Sequence, residues 1–209
     1  MNIAILGASG WIGSTIATEA TARGHNVIGL ARDSSKLADN ITKRDFDIQK
    51  DDIASVIDGA DALIVSISGR AKGNHEIVAA SAKKLLAALP TTSLNRLVWV
   101  GGAGSLEVAP GVKLISIPEF PAEFKDEGLA QGEALNIFKN SGSTVNWTFI
   151  SPAADIFPGE KTGQYRVGGD QLLSDAEGNC KISVQDYAVG LLDEVESGAH
   201  PQQRICLAY

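Results

Sequence analysis

The stretch Gly7-Ala8-Ser9-Gly10-Trp11-Ile12-Gly13 lies between a short apolar run, Asn2–Leu6, and an amphipathic segment, Trp11–Arg23. A run of this length that stops at a glycine is typical of a buried parallel strand. The segment after it carries apolar side chains at helical spacing and is followed by Gly24, a usual helix terminator. The stretch therefore predicts a strand, a tight glycine turn and a helix in immediate succession.

The three glycines of this turn have different expected roles. Gly7 permits the tight turn, Gly10 lets the backbone approach a pyrophosphate, and Gly13 lets the helix pack close to the strand. The free N–H groups at the helix start, together with the positive end of its dipole, would hold the phosphates. The turn therefore predicts a dinucleotide-binding site made by Gly7, Ala8, Ser9, Gly10, Trp11, Ile12 and Gly13.

Strand-like and helix-like segments alternate over most of the chain. The later strands are predicted at Asn26–Leu30, Ile41–Phe46, Ala62–Ile67, Arg96–Val100, Val145–Ile150 and Arg204–Ala208. The later helices are predicted at Asp51–Ile57, His75–Leu89, Glu127–Lys139 and over 184–195, the last opened by a capping box of Ser183 and Asp186. Repeated βα units imply an α/β fold with a doubly wound, Rossmann-type parallel sheet and helices on both faces.

Residues 151–183 differ from the rest, because they are rich in Gly, Asp and Pro. We expect loops there, or a hairpin that pairs Gln164–Val167 with Gln171–Ser174, over the cofactor cleft. The chain is then one dinucleotide-binding domain, residues 1–209, with a small C-terminal region on the substrate side.

Composition excludes several classes of protein. A net charge of −7 argues against nucleic-acid binding, and no apolar run is long enough to cross a membrane. Cys180 and Cys206 have no neighbouring Cys or His at metal-ligand spacing, so we expect reduced thiols and no metal. The start of the chain lacks the basic region of a signal peptide, which favours a cytoplasmic location. Nothing in the sequence indicates the oligomeric state.

Several further motifs support a family resemblance. They include the stretches Arg23-Gly24-His25-Asn26-Val27, Val100-Gly101-Gly102-Ala103-Gly104-Ser105-Leu106, Ser151-Pro152-Ala153 and Ile182-Ser183-Val184-Gln185-Asp186-Tyr187-Ala188. With the glycine turn they resemble the NmrA-like NAD(P)H-binding branch of the atypical short-chain dehydrogenase/reductases. Bacterial members of that branch are commonly described as NADH-flavin reductases. The resemblance covers the whole chain and is more specific for fold and cofactor than for substrate.

The resemblance implies further cofactor contacts. Asp47 and Ile48 would lie beside the adenine. Ser66, Ile67 and Ser68 would lie beside the adenosine ribose or the pyrophosphate. Ser151, Pro152 and Ala153 would lie beside the nicotinamide ribose, near Gly101 and Gly102 after the fifth strand.

The end of the second strand favours NADP over NAD. NAD-specific proteins usually carry an acidic residue there to bind the ribose 2′-hydroxyl. Here the strand ends at Ala31 and Arg32 follows, with Lys36 close behind. A guanidinium can contact two phosphate oxygens at once, so Arg32 suits the extra 2′-phosphate and Lys36 can assist it.

The acid–base pair of most short-chain dehydrogenases is absent. They use Tyr-x-x-x-Lys, whereas Tyr165, Tyr187 and Tyr209 have no Lys four residues later and lie outside Glu127–Lys139, where the family places the pair. Ser105 is then the best polar candidate for the nicotinamide end, with a plain turn serine as the alternative. We interpret His75 as a solvated residue at a helix end, although it could face the cleft.

Three functions remain open. The first is an NAD(P)H-dependent reductase of a flavin, quinone or similar small-molecule acceptor, bound beneath the Pro-rich loop Leu106–Ala122. Such an acceptor takes hydride into a delocalised ring and its proton from solvent, so it needs no dedicated protein acid. The second is a non-catalytic NAD(P)-binding redox sensor. The third is an epimerase or dehydratase of nucleotide sugars, which the missing Tyr-x-x-x-Lys pair disfavours.

Overall fold

A β-sheet with helices on both faces forms the centre of the computed structural model, which describes residues 1–209. The strands are β1 (Asn2–Leu6), β2 (Asn26–Ala31), β3 (Thr42–Asp45), β4 (Ala62–Val65), β5 (Arg96–Val100), β6 (Glu107–Ala109), β7 (Val112–Lys113), β8 (Asn146–Ser151), β9 (Asp155–Phe157), β10 (Arg166–Gly168), β11 (Lys181–Ser183) and β12 (Gln203–Ala208). The helices are α1 (Trp11–Ala22), α2 (Glu76–Ala88), α3 (Lys125–Asn140) and α4 (Val184–Ser197).

Eight strands form the main sheet, in the order β3-β2-β1-β4-β5-β8-β12-β10. All neighbours run parallel except β10, which pairs antiparallel with β12. The strand order reverses between β1 and β4, and open α/β sheets bind ligands at the carboxyl ends of strands beside such a reversal. The predicted doubly wound fold is confirmed.

Each face of the sheet is covered by two helices. Along β1, Ile3 and Ile5 belong to one buried cluster with α1 and α4, while Ala4 and Leu6 belong to another with α2 and α3. Successive side chains on a strand point to opposite faces, so a continuous apolar strand is the composition expected of a sheet covered on both sides.

The start of α4 has one of the two hydrogen bonds of the predicted capping box, because the Ser183 N–H donates to the Tyr209 hydroxyl and not to the Asp186 carboxylate. The Ser183 hydroxyl oxygen accepts a hydrogen bond of 3.0 Å from the Asp186 N–H, and Gly198 ends the helix with φ of +58°. None of the four helices combines the length and apolar character that a membrane-spanning helix requires.

Two sequence predictions are wrong in detail. The helix predicted over Asp51–Ile57 is only a 3-10 turn, Ile53–Ser55, which Asp52 caps through the Ala54 N–H. The predicted hairpin of Gln164–Val167 with Gln171–Ser174 does not form. The free edge of β12 takes β10 instead, with Arg166 opposite Ala208, while Gln171 bridges to Glu107.

The segment predicted as the loop Leu106–Ala122 contains more local structure than expected. It holds the β6–β7 hairpin, whose turn uses Gly111 at φ of +74°, followed by a 3-10 turn at Leu114–Ser116. This segment leaves the carboxyl end of β5 and leads into α3, so it borders the edge of the sheet where a ligand is expected.

Candidate functional site

The glycine turn is built by close backbone contacts. Gly7 has φ of +87°, and a Cβ placed on it would lie 2.0 Å from the Ser66 carbonyl oxygen. A Cβ on Gly13 would lie 2.2 Å from the Gly7 carbonyl oxygen. Neither position has room for a side chain, so Gly7 and Gly13 are required by the fold itself.

Gly10 differs from the other two glycines of the turn. Its φ of −78° is available to any residue, and a Cβ placed on it would meet only the Gly7 carbonyl oxygen, at 3.3 Å. The residue is exposed, and no side chain caps the start of α1. The open space over Gly10 and the uncapped N–H groups of the first helical turn therefore make this the candidate anion-binding site.

Of the other residues of the turn, some are packed in the core and others are exposed. Ala8 is buried in the core, and Ile12 packs against the same cluster. Ser9 is exposed, and Trp11, 47% exposed, lines the cleft described below. Ala8 therefore offers a ligand its backbone rather than its side chain.

Arg32 is exposed directly after β2 and forms no ion pair. The neighbouring Asp33 accepts hydrogen bonds from the N–H and hydroxyl groups of Ser35, which lower its pKa. Lys36 lies 3.5 Å from the other carboxylate oxygen of Asp33. The acidic residue closest to the end of β2 is thus engaged by its own turn, while the guanidinium of Arg32 forms no ion pair and only helps to lower the pKa of Asp47 through its charge.

Asp47 and Ile48 follow β3. The Ile48 side chain is buried in the core cluster beneath α2, so only its backbone is available to a ligand. The Asp47 carboxylate accepts a hydrogen bond from the Gln49 N–H, which lowers its pKa, and lies 3.5 Å from the Lys50 ammonium.

A cleft of about 600 Å³ opens at the carboxyl ends of the central strands. One wall is made by Trp11 and the end of β4, and its floor by the glycines after β5. An apolar wall opposite comes from the segment before α3 and from the residues after β8. The lining includes Trp11, Ile67, Ser68, Arg70, Gly101, Gly102, Leu114, Ile117, Phe120, Phe124, Glu127, Gln131, Pro152 and Ala153. Predicted contacts from four separate segments thus meet at one site.

Ser105 and Ser151 do not line this cleft. Ser105 is 8% exposed and Ser151 is fully buried, and both hydroxyls lie beside Arg204 Nη1, at 3.4 and 3.5 Å. Arg204 is also bound by the Asp170 carboxylate. The prediction that these hydroxyls border the nicotinamide is therefore corrected: they lie outside the cleft lining, beside Arg204, because a buried guanidinium needs acceptors.

A hydrogen-bonded network on α3 was not anticipated from the sequence. The Glu127 carboxylate accepts hydrogen bonds from the Gly69 N–H (3.1 Å) and the Gln131 side-chain amide (3.1 Å), and its Oε2 lies 2.8 Å from His75 Nδ1. Glu127 and Gln131 both line the cleft, and His75 is half-buried rather than solvated. The available signal was the i, i+4 spacing of two polar side chains at the start of α3.

The three tyrosines are held away from the cleft lining. Tyr187 is fully buried and donates to the Ile150 carbonyl at 2.7 Å, while Tyr209 donates to the Asp186 carboxylate at 2.7 Å. Tyr165 donates to Asp193, and burial together with that carboxylate raises its pKa. Each phenol thus has a partner in or beside α4.

Cys180 and Cys206 are buried as free thiols. Burial raises the pKa of both, to about 12 for Cys206, so both are protonated and unreactive at neutral pH. No group of three or more His, Cys, Asp or Glu side chains is placed to hold a metal ion.

The fold, with a glycine turn that is open at Gly10, is that of a nucleotide-binding Rossmann protein. Residues 7–196 match the NAD(P)H-binding family, and the chain belongs to that family. It is 38% identical over 211 residues to YwnB of Bacillus subtilis, covering 98% of this chain and 96% of YwnB.

Two solved structures with the same fold cover the chain from end to end. A Streptococcus pneumoniae protein, provisionally described as an NADH-flavin reductase, is 34% identical with a TM-score of 0.91, over 100% of this chain and 99% of that one. A Bacteroides thetaiotaomicron protein, provisionally described as an epimerase, is 34% identical with a TM-score of 0.90, over 100% and 96%. These descriptions belong to the two relatives.

Proposed function

We propose that this protein is an NADPH-dependent reductase that transfers hydride to a flat aromatic acceptor such as a flavin or a quinone. The observation that carries the proposal is the cleft, which extends from Trp11, the residue next to the open Gly10, to an apolar wall of Leu114, Ile117, Phe120 and Phe124. A dinucleotide bound beside Trp11 would leave space for a planar ring against the apolar wall.

The residues fit the cofactor that the family implies. The surface over Gly10 is open and the first turn of α1 is uncapped, so the backbone would hold the pyrophosphate. The glycines after β5, with Pro152 and Ala153, would border the nicotinamide end. When bound, the dinucleotide supplies a hydride; the chain binds it, orients it and excludes water.

The chemistry of the lining favours an acceptor that needs little acid catalysis. Reduction of a carbonyl places charge on oxygen and requires a positioned proton donor, whereas a quinone or flavin delocalises the added electrons. No tyrosine or lysine lines the cleft. The balanced reaction for a quinone is NADPH + H⁺ + quinone → NADP⁺ + hydroquinone, with the proton drawn from solvent.

The preference for NADPH rests on Arg32. Its guanidinium is exposed at the end of β2 without an ionic partner, while Asp33 is engaged by Ser35. A charge-assisted, two-pronged contact to the 2′-phosphate is the interaction this arrangement favours. Lys36 lies within the same turn and adds positive charge.

The test is a screen of NADPH oxidation against FMN, riboflavin, quinones and redox dyes, followed by transfer from 4-deuterated NADPH. We expect turnover with at least one planar acceptor and deuterium loss from one face of the nicotinamide only. Tight NADPH binding without turnover of any acceptor would instead favour a redox-sensing module. Turnover of a nucleotide sugar with no net oxidation of NADPH would favour an epimerase.

The proposal includes a cytoplasmic location, because a reductase of this kind depends on a supply of reduced nicotinamide. Fractionation of cells that express the protein tests it: the activity should be recovered with the cytoplasmic fraction and not with secreted protein.

A further inference from the structure

Trp99 determines which groups donate and which accept in the hydrogen-bonded network on α3. The indole N–H can only donate, and it donates to Gln131 Oε1 at 3.0 Å. The Gln131 amide nitrogen must therefore face the other way, toward Glu127 Oε1 at 3.1 Å and the Ile67 carbonyl oxygen at 3.4 Å. Trp99 is fully buried and Gln131 nearly so, so this orientation is locked by the core.

The same assignment of donors and acceptors fixes the tautomer of His75. The Glu127 carboxylate already receives the Gln131 amide and the Gly69 N–H, and as a carboxylate it can only accept. The 2.8 Å contact to His75 therefore requires the proton on Nδ1. Glu127 is thus the acceptor for three donors, two of which come from the connection between β4 and α2.

The elements that the network joins are the two walls of the cleft. Residues 66–75 connect β4 to α2, and the carbonyl of Ser66 lies against Gly7 in the glycine turn. Ile67 and Ser68 line the cofactor side of the cleft, and Glu127 and Gln131 line it from α3. The Ile67 carbonyl, the Gly69 N–H and the His75 ring are all held by these two α3 side chains.

The held segment is tightly folded. A Cβ on Gly69 would lie 2.3 Å from the Asn74 carbonyl oxygen, and Gly73 has φ of +62°. The segment contains only a 3-10 turn, Arg70–Lys72, and no residue of it belongs to the central sheet. The Ser66 N–H donates to the Leu6 carbonyl at 2.8 Å, but the backbone hydrogen bonds of residues 67–75 stay within the segment and the start of α2. The position of residues 67–75 therefore depends on side-chain contacts, and those to Glu127 are charge-assisted.

We propose that Glu127 is a positioning residue for the dinucleotide site, acting through residues 67–75. It fixes the position of Ile67 and Ser68 beside the cofactor. His75 and Gln131 complete the set of hydrogen bonds that holds residues 67–75 against α3. The inference rests on the dinucleotide-binding part of the proposed function and is independent of the acceptor. If these hydrogen bonds break, only a fraction of the molecules can bind the dinucleotide, and the apparent affinity for it falls in proportion to that fraction.

The experiment measures NADPH affinity by fluorescence titration in Glu127→Gln, with Glu123→Gln as the matched control. Glu123 is an exposed acidic residue that does not line the cleft and lies four residues before Glu127. We expect Glu127→Gln to raise the Kd for NADPH about tenfold while Glu123→Gln leaves it unchanged, because a glutamine cannot accept from all three donors. Circular dichroism and thermal unfolding establish that each variant is folded.

Two further measurements separate positioning from general stability. His75→Asn keeps an amide N–H near the position of Nδ1 and should retain most of the affinity, whereas His75→Leu should lose it. Nitrogen-15 NMR of the imidazole should show the proton of wild-type His75 on Nδ1 and a changed signal in Glu127→Gln.

A Kd in folded Glu127→Gln within twofold of the parent overturns the proposal, as does an Nε2–H tautomer of His75 in the wild type. Failure of the reductase function has a different signature. In that case NADPH affinity still responds to Glu127→Gln, but no acceptor is turned over by any variant.

Discussion

The two halves of the cleft are built in different ways. The cofactor half is mainly backbone, the turn from Gly7 to Gly13 with the Ser66 carbonyl against it, and the side chains of Trp11 and Arg32 lie at its borders. The acceptor half consists of side chains from the segment before α3, including Leu114, Ile117 and Phe120. A backbone site is specified by a few consecutive residues, whereas a side-chain site depends on where distant segments meet.

The largest effect should come from Gly10→Val, which tests whether the cofactor half works through exposed backbone. The valine side chain would occupy the space where a pyrophosphate must approach, so NADPH affinity should fall by at least about a hundredfold, or about 2.7 kcal/mol. The protein should stay folded, because a Cβ on Gly10 meets only one atom, at 3.3 Å. Fluorescence titration and thermal unfolding measure the two quantities.

Gly13→Val and Gly132→Ala are the controls. Gly13→Val forces a Cβ to within 2.2 Å of the Gly7 carbonyl and should destabilise the fold itself. Gly132→Ala, in α3, meets nothing closer than 3.8 Å and should leave binding intact. Unchanged NADPH binding in folded Gly10→Val would remove the dinucleotide assignment.

The cofactor half could be predicted from sequence because its determinants are local. One glycine pattern between an apolar strand and an amphipathic helix contains the turn, the close packing of helix on strand and the open space of the candidate anion site. The doubly wound sheet followed from the same alternation, since parallel strands joined by helices admit few topologies. The pairing of β10 with β12 could not be predicted, because it depends on an edge left free by the last strand.

The second effect concerns Arg32, at the outer end of the cofactor half. Arg32→Ala should weaken NADPH binding by about 1.5–3 kcal/mol, roughly tenfold to a hundredfold, because a charge-assisted contact to the 2′-phosphate is lost. NADH binding should change little. Lys83→Ala, which removes an exposed charge on α2, is the control for net charge. Equal losses of affinity for NADPH and NADH would show that Arg32 does not bind the 2′-phosphate.

The third effect lies in the acceptor half and should leave the cofactor half untouched. Phe120 lines the cleft and faces Gly128 of α3. Phe120→Ser removes apolar surface worth about 1.5–3 kcal/mol when covered, so the acceptor KM should rise about tenfold or more. The Kd for NADPH should stay constant. A parallel rise in both constants would mean that the two halves are not separable.

Side-chain contacts between distant segments could not be predicted from the sequence. Glu127 and His75 are 52 residues apart, and only the fold brings their side chains within 2.8 Å. Glu127 was missed, whereas Ser105 was assigned to the site and does not line it. Ser105 follows β5 as expected, but its hydroxyl contacts Arg204, 99 residues away. In both cases the partner of a side chain, rather than its position along a strand or helix, decides its role.

The smallest effect should come from Ser105→Ala. The hydroxyl is 8% exposed, does not line the cleft, and contributes one long contact of 3.4 Å to an arginine that Asp170 also binds. Its removal should therefore change kcat for the best acceptor by less than about twofold, since a weak hydrogen bond outside the cleft contributes little to the transition state. The pH–rate profile between about 6 and 8 should stay flat in both proteins, because the proposed reaction uses no protein acid. A bell-shaped profile in the parent together with a collapse of kcat in Ser105→Ala would mean that the hydroxyl turns into the cleft when the ligands bind. The division between a backbone cofactor half and a side-chain acceptor half would then have to place Ser105 in the second.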